Sequence, residues 1–143
     1  MEGIQRLEDI LEKLDLAYKK ETLDKATKFL QVMIDEKEGV EAAIYVSKLA
    51  EYWMARYELV IDEISDSDEL AQLRMVLDLN NTLPMGTFAL DTENDLITYS
   101  ITFPIEGLDE DGLSEVIDMS LFAEQTYVDH YYGDGEGRAD DEA

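Results

Sequence analysis

The sequence predicts an α+β fold: a two-layer domain in which an antiparallel sheet carries helices on one face. Three observations support this fold class. Apolar residues recur with helical spacing near both ends of the chain. Segments with strand-like alternation lie between them, and turn-forming residues divide those segments into pairs.

Residues 1–38 predict an N-terminal helical region. Ile4, Leu7, Leu11, Leu14 and Tyr18 follow a 3-4-3-4 spacing, which places them on one side of a helix. A second stripe, out of phase with the first, consists of Leu23, Ala26, Leu30 and Met33. We therefore expect either two helices or one bent helix that ends near residue 39. The first stripe can pack on its own domain or be offered to a partner.

The segment VEAAIYVSKLAEYWMARYELVIDEI predicts two strands joined around SKLAE. Trp53 and every second residue up to Ile61 fall on one face, whereas Arg56 and Glu58 fall on the other. Trp53 is interpreted as a core residue, with a platform for a ligand as the alternative. The candidate partner-binding surface consists of Leu7, Leu11, Leu14, Tyr18 and Trp53.

The segment SDSDELAQLRMVLDLNN predicts a further helix. Its buried stripe is expected to consist of Leu70, Leu73, Val76 and Leu77. Asn80 or Asn81 is expected to adopt the left-handed conformation that ends the helix.

The stretch NNTLPMGTFALDTENDLITYSITF predicts a turn followed by a hairpin. Pro84 prevents the helix from continuing and favours an extended Leu83, while Gly86 permits a conformation that other residues resist. TFALD and LITYSITF are expected as strands, with DTEND as their connection. We interpret a set of residues here as a structural turn motif, with a ligand site as the alternative: Asn80, Leu83, Pro84, Gly86 and Phe88.

A final helix is predicted within LDEDGLSEVIDMSLFAEQTYVDHYY. Its buried side is expected to carry Leu113, Val116, Ile117, Ser120, Phe122, Ala123 and Tyr127. Residues 133–143 lack large apolar side chains and predict a disordered acidic tail. The remaining residues, 1–132, are expected to form a single α+β domain.

The chain is strongly acidic, with a formal net charge of −24. Residues 76–143 contain 17 acidic residues and one basic residue. Such a field repels phosphate backbones and anionic lipids, so we expect no direct binding to nucleic acid. There is no cysteine, no signal-peptide pattern and no apolar run long enough to span a bilayer. We expect a cytoplasmic protein that does not insert into membranes.

No motif for catalysis, cofactor binding or metal binding is evident. The one histidine, His130, has no nucleophile motif beside it, and the glycine-rich phosphate loops are missing. Two groups of acids lack the glycine and the final acid of a calcium loop: Asp91, Glu93 and Asp95, and Asp109, Asp111 and Glu115. The sequence therefore predicts a protein that is not an enzyme and has no cofactor.

The segments LAQLRMVLDLNNTLPMGTFALD, LITYSITFP and LSEVIDMSLFAEQTYVDHYY resemble the YbjN and YjfI groups of uncharacterised bacterial proteins. In those groups a helix ends in a polar pair, an LP-x-G/S-x-F turn leads into a strand, and a long helix closes the domain. The most telling residues here are Asn80, Leu83, Pro84, Gly86, Phe88 and Leu90. The resemblance covers residues 70–132.

This resemblance implies a fold similar to that of the type III secretion chaperones. Those are small, acidic, commonly dimeric α+β proteins that bind segments of other proteins. The YjfI group implies a partner similar to phage-shock protein A. No catalytic residues are established for either group, so the resemblance implies none here.

The leading hypothesis is a non-enzymatic protein-interaction module, chaperone-like or regulatory, that forms a homodimer. One alternative is an acidic DNA mimic that occupies a basic nucleic-acid-binding protein, because its charge would be steered to the same surface as DNA. A second alternative is an enzyme built on carboxylates that the sequence does not single out.

Overall fold

The computed structural model of the protein describes residues 2–24 and 27–133. Within these residues the helices are α1 (Glu2–Lys13), α2 (Glu69–Leu79) and α3 (Glu110–Tyr131). The strands are β1 (Tyr18–Thr22), β2 (Thr27–Asp35), β3 (Val40–Leu49), β4 (Tyr52–Glu63), β5 (Thr87–Asp91) and β6 (Leu96–Pro104). The strands form one sheet in the order β1-β2-β3-β4-β6-β5. The predicted α+β fold with an antiparallel sheet is confirmed.

The described residues form two compact units. The first unit lies within residues 1–59 and 100–118, and the second lies within residues 60–99 and 119–143. Among the described residues, no helix has the length and apolar composition needed to cross a bilayer.

The first unit is built on the antiparallel strands β1 to β4, whose side chains alternate between two faces. In the central parts of β2 to β4 every second side chain is buried, and cross-strand pairing of Leu30 with Ile44 and of Ile44 with Tyr57 places these residues in one row. We call this side the covered face; it comprises Leu30, Val32, Ala42, Ile44, Val46, Ala55, Tyr57 and Leu59. Burial of this apolar surface is the main source of stability for the unit.

Helix α1 packs against the covered face. Its buried side chains are Ile4, Leu7, Ile10 and Leu11. Gly3 allows the helix to approach Trp53 closely, since a Cβ there would lie 2.6 Å from Cγ of the indole. Lys20 of β1 reaches the helix through a 2.8 Å ion pair with Glu8, and Tyr18 donates a hydrogen bond to Glu12.

The prediction of a helical region over residues 1–38 is wrong beyond Lys13. Residues 18–22 and 27–35 are strands, and Ala26 lies outside the described residues. The expected helical stripe breaks up, because Leu30 lies on the covered face while Met33 lies on the opposite side of β2. Pairing with both β1 and β3 satisfies the backbone of β2, and this tertiary context overrides a short helical pattern.

The second unit has a core that includes a buried amide. Val76 and Leu79 of α2, Phe88 of β5, and Ile97 and Tyr99 of β6 are buried. The expected stripe on α2 is therefore wrong in part, since Leu70 and Leu77 are 67% and 68% exposed. The helix turns Gln72 inward instead, and this side chain is fully buried.

The strands around SKLAE, the hairpin of β5 and β6, and the final helix are confirmed. The Asp109 side chain accepts a hydrogen bond from the backbone of Gly112 and so caps α3. Phe122 differs from expectation, because it is about half exposed. The predicted tail lies outside the described residues from residue 134 onward.

The turn after α2 is held by side-chain contacts to the backbone. Asn80 has a right-handed helical conformation, so the predicted left-handed end of α2 is wrong for this residue. Its amide instead accepts a hydrogen bond from the N–H of Phe88 at 2.6 Å and donates to the carbonyl of Phe88 at 3.2 Å. Residues between them form a closed loop in which Leu83 is half-buried and Pro84 is exposed.

Gly86 is the residue in this loop that needs its special backbone freedom. Its φ is +77°, and a Cβ would overlap the phenol of Tyr99. That phenol donates a 2.7 Å hydrogen bond to the carbonyl of Met85. Asn80, Gly86 and Phe88 thus have roles in closing the loop onto the second unit.

We expect Gly3→Ala to destabilise the protein by about 1–3 kcal/mol, because the methyl group would overpack against Trp53. An exposed helical position would show the opposite sign, since Ala favours a helix over Gly by about 1 kcal/mol. Urea unfolding followed by the fluorescence of Trp53, the single tryptophan, measures this directly. Gly112→Ala is the control, because its nearest neighbour is a flexible Leu108 methyl at 3.1 Å. Equal effects of the two substitutions would contradict the docking of α1.

We expect Gly86→Ala to cost more stability than Gly39→Ala. Both glycines have positive φ, at +77° and +70°, so both substitutions carry about 1–2 kcal/mol of backbone strain. No described atom lies within 4 Å of a Cβ at Gly39. Only Gly86→Ala therefore adds a clash with Tyr99, worth about 1–3 kcal/mol more. Chemical denaturation followed by circular dichroism should resolve the difference, and equal losses would show that the clash is relieved.

Candidate functional site

The strands of the first unit present a second face, opposite the covered face. We call it the open face; it comprises Phe29, Tyr45, Ser47, Leu49, Tyr52, Met54 and Arg56. Register places Tyr45 beside both Phe29 and Arg56, Ser47 beside Met54, and Leu49 beside Tyr52. These side chains are half-buried or exposed. The open face is therefore a continuous surface rich in aromatic and aliphatic groups.

Three side chains of the open face, one each from β2, β3 and β4, contact one another in a row across the strands. The ring centres of Phe29 and Tyr45 lie 5.2 Å apart with a tilt of 39°. The guanidinium carbon of Arg56 lies 4.8 Å from the centre of the Tyr45 ring. Aromatic pairs and cation–π contacts at these distances are favourable. The row is thus held in place before any partner arrives.

A cleft of about 440 Å³ lies beside this row. Its walls come from β2, β3, β4 and β6, and they include Thr27, Tyr45, Met54, Arg56 and Thr102. The lining combines apolar groups with a few polar groups, as is common in binding sites.

The open face extends to the tip of the hairpin between β3 and β4. Ala50 adopts a φ of +56° in the tight turn. On either side of it, Leu49 is 68% exposed and Tyr52 is 59% exposed. Two large apolar side chains with this exposure, adjacent to a cleft, indicate an interaction surface.

The predicted partner-binding surface does not form one accessible patch. Leu7 and Leu11 are fully buried in the core of the first unit, because α1 turns its whole apolar stripe toward the covered face. Leu14, Tyr18 and Trp53 are half-buried. The ring of Trp53 lies against α1 and under the ammonium group of Lys48, which is 5.8 Å from the ring centre.

The second unit contains a polar network that the sequence did not reveal. Buried Gln72 donates to the carbonyl of Glu63 and to the hydroxyl of Tyr127, both at 2.8 Å, and accepts from the N–H of Ser65. Tyr127 donates to Asp62 at 2.7 Å. The spacing of four residues between Tyr127 and Tyr131 was a weak signal of this network in the sequence, since it puts both rings on one side of α3.

Two further tyrosines complete this network at the end of α3. Tyr132 also donates to Asp62, at 2.5 Å, and Tyr131 donates to Asp68. The rings of Tyr131 and Tyr132 make an edge contact with centres 4.9 Å apart. The network ties the last turn of α3 to the end of β4 and to the loop before α2, so its first role is to hold the second unit together.

The hydrogen bonds and the burial in this network raise the pKa values of its phenols. The hydrogen bond to the Asp62 carboxylate, helped by burial, raises the pKa of Tyr132 to about 12. Burial also raises the pKa of Tyr127 well above its usual range, and the Asp62 contact adds to this. A phenol that donates to a carboxylate would repel it after losing its proton.

The residues considered for chemistry do not assemble into a site. The ring of His130 contacts the carbonyl of Thr126 in its own helix at 2.8 Å. Within residues 2–24 and 27–133, no three acidic or histidine side chains group in a way that could hold a metal ion. Asp91 bonds to Asn94 in the hairpin loop, and this contact lowers the pKa of Asp91.

We expect the free energy of unfolding to fall as the pH rises from 10 to 12, in part because of Tyr132. Its folded-state pKa is raised from 10.0 to about 12, so its stabilising contribution is complete below pH 10 and is lost above that value. In Tyr132→Phe this contribution is missing, and the fall over the same range should be smaller than in the wild type. Denaturant titrations at several pH values measure the two slopes.

Tyr52→Phe is the control for this experiment, because Tyr52 is similarly exposed and lies at the tip of the β3–β4 hairpin. Its slope should match that of the wild type. A slope for Tyr132→Phe equal to that of the wild type would contradict the Tyr132–Asp62 interaction. Tyr18, whose pKa is also raised to about 12 mainly by burial, contributes equally to all three proteins.

No family model matches the chain, and no curated protein matches it. Solved structures do match. An uncharacterized protein from Methanothermobacter thermautotrophicus aligns with a TM-score of 0.65 and 16% identity over 88% of this chain and 94% of its own. YbjN from E. coli aligns with a TM-score of 0.61 and 14% identity over 94% of this chain and 91% of its own.

Secretion chaperones also match. The Yersinia pestis type III secretion chaperone SycH, solved in complex with a stable fragment of YscM2, aligns with a TM-score of 0.58 and 18% identity. The alignment covers 87% of this chain and 98% of that one. A chain of the HopA1–SchA chaperone–effector complex aligns with a TM-score of 0.56 and 16% identity, over 87% and 91% of the two chains. The protein thus has the fold of YbjN and of the type III secretion chaperones.

Proposed function

We propose that this protein is a non-enzymatic interaction module, chaperone-like or regulatory, that binds a segment of a partner protein on its open face. The observation that carries the proposal is the continuity of that face. Exposed Leu49 and Tyr52 lead directly into the ordered row of Tyr45 and Arg56. The protein works in this way as a homodimer in the cytoplasm.

The composition of the open face supports binding to protein. Tyrosine and arginine are enriched among the residues that contribute most to protein interfaces. A tyrosine offers a large contact area and loses little conformational entropy on binding. The open face has two tyrosines, one arginine, one methionine and one leucine on paired strands, which form a rigid base for them.

The energetic cost of leaving this face uncovered also favours a partner. Covering a large apolar side chain completely is worth about 1.5–3 kcal/mol. Leu49 and Tyr52 are each more than half exposed, so a partner segment that covers both gains a few kcal/mol before any polar contact forms. This is a substantial share of the free energy of a micromolar complex, which is about 8 kcal/mol.

The fold likeness supports the general class of this function. SycH was solved with a fragment of another protein, and the HopA1–SchA structure is a chaperone–effector complex. At 14–18% identity such likeness concerns the fold. The position of the binding site is therefore inferred from the open face of this chain and not from the similar structures.

We expect the double variant Leu49→Ser and Tyr52→Ser to lose its partner. Affinity capture from native lysate at moderate salt, with mass spectrometry, compares the retained proteins. The control is Leu70→Ser with Leu77→Ser, which removes two side chains with matching exposure from α2. Circular dichroism verifies that each variant is folded, and light scattering gives the oligomeric state.

The proposal predicts that the wild type and the α2 variant retain the same partner and that the hairpin variant does not. Retention by all three proteins would contradict a role for the open face. Partners that bind DNA and are released steeply by salt would instead support the DNA-mimic alternative, because charge rather than apolar contact would hold them.

A further inference from the structure

We infer that the open-face cleft selects an extended, acidic protein segment that carries an aromatic or aliphatic side chain. This inference rests on the proposed function and adds the chemistry of the partner segment. It runs against the charge of the whole chain, which is −24 and would by itself attract a basic partner.

The lining of the cleft differs in charge from the rest of this acidic protein. Among the residues that line it, none is acidic, and Arg56 places its guanidinium on the open face, whereas the ammonium of Lys48 lies over the Trp53 ring on the opposite side of the sheet. Three other clefts of similar size, between about 370 and 470 Å³, are each lined by two or three carboxylates. With 35 acidic residues against 11 basic ones in the chain, an acid-free lining that includes an arginine departs from the general composition.

The guanidinium of Arg56 is suited to receive a carboxylate. Its carbon lies 4.8 Å from the centre of the Tyr45 ring, and this cation–π contact helps to hold the side chain in place. Its nearest acid is Glu58, whose carboxylate lies 3.6 Å from Nε, a separation too long for a good hydrogen bond. The side chain is half exposed, so this ion pair contributes little by itself. A carboxylate that approaches in the guanidinium plane can form shorter, paired hydrogen bonds.

The spacing along β4 defines the pattern of the segment. Tyr52, Met54 and Arg56 occupy alternate positions on the open face. Tyr52 and Arg56 are four residues apart, which is about 13 Å along a strand. An extended segment that lies along β4 therefore matches both ends when an apolar residue and an acidic residue are about four positions apart.

A peptide suits this cleft better than a nucleic acid does. Single-stranded nucleic acid could also stack on Tyr45 and pair with Arg56. However, it carries a charge on every nucleotide, and the acidic chain around the cleft repels each phosphate that extends beyond it. A peptide with one carboxylate places its charge only where the guanidinium of Arg56 lies.

The test uses fluorescence anisotropy with synthetic peptides of about twelve residues, about 40 Å when extended. The first peptide has one Phe and a Glu four residues further on, with Gly and Ser elsewhere and a neutral dye. Three others replace the Glu by Gln, the Glu by Lys, or the Phe by Ser. A single-stranded DNA oligonucleotide of similar length is the fifth probe. Salt is held near 0.15 M, where the screening length is about 8 Å.

The cleft variant is Arg56→Gln. Its control is Arg74→Gln, which gives the same net charge and leaves the lining of the cleft intact. We expect the Phe–Glu peptide to bind the wild type and the control alike, and to bind the cleft variant at least tenfold more weakly. This factor corresponds to the loss of charge-assisted hydrogen bonds. The Gln and Ser peptides should bind the wild type at least several-fold more weakly than the Phe–Glu peptide.

Three results would overturn the inference: tighter binding of the Lys peptide, equal loss in both variants, or tighter binding of the oligonucleotide. Failure here is distinguishable from failure of the proposed function. If the hairpin variant loses its partner while the Phe–Glu peptide does not bind, the open face is an interaction surface for a segment of different chemistry. If the hairpin variant keeps its partner, the proposed function itself falls.

Discussion

The alternation of side chains between the two faces of β2, β3 and β4 is the constraint on which the rest of this structure depends. Successive residues of a strand point to opposite faces, and the cross-strand register aligns Leu30, Ile44 and Tyr57 on one side and Phe29, Tyr45 and Arg56 on the other. Because α1 covers the first row, the second row is left on the opposite surface. A register shift of one residue would exchange the two rows.

This division explains why the apolar stripe of α1 is buried rather than exposed to a partner. An amphipathic helix can use its apolar stripe only once, and here Leu7 and Leu11 are fully buried. Gly3 lets the helix approach the indole of Trp53, so the helix and the strand are fitted to each other. Leu49 and Tyr52, which flank the tight turn at Ala50, are among the large apolar side chains that remain accessible.

The core of the second unit contains a buried polar side chain. Its buried Gln72 satisfies its amide with the carbonyl of Glu63, the N–H of Ser65 and the hydroxyl of Tyr127. Buried polar groups are costly unless they are bonded in this way. The network explains why α2 buries the side that carries Gln72 and leaves Leu70 and Leu77 on the surface.

The sequence predicted the elements whose signals are local. The strands around SKLAE, the hairpin after Gly86 and the long final helix follow from alternation, turn residues and helical spacing, and they are confirmed. The segment from residue 23 to 38 was predicted as helix, because the pattern of Leu30 and Met33 fits a helix as well as it fits opposite faces of a strand. Only its pairing with β1 and β3 decides between the two, and pairing is not visible in one segment.

The candidate site was less accessible to prediction for the same reason. The open face depends on the register between Tyr45 and Arg56, residues 11 positions apart, and the polar network joins Asp62 to Tyr127 and Tyr132 across more than 60 positions. An apolar stripe indicates which residues pack against another surface. It does not show whether that surface belongs to the same chain, as it does for Leu7, or to a partner.

The claim that a partner segment occupies the open face can be tested most directly by cross-linking. The chain has no cysteine, so Ser47→Cys on the open face and Ser114→Cys in α3 each provide a single site for a photoreactive benzophenone. Both serines are half-buried and lie in the first unit. With the captured partner present, the account predicts a cross-link from position 47 and little from position 114. A cross-link from position 114 alone would contradict it.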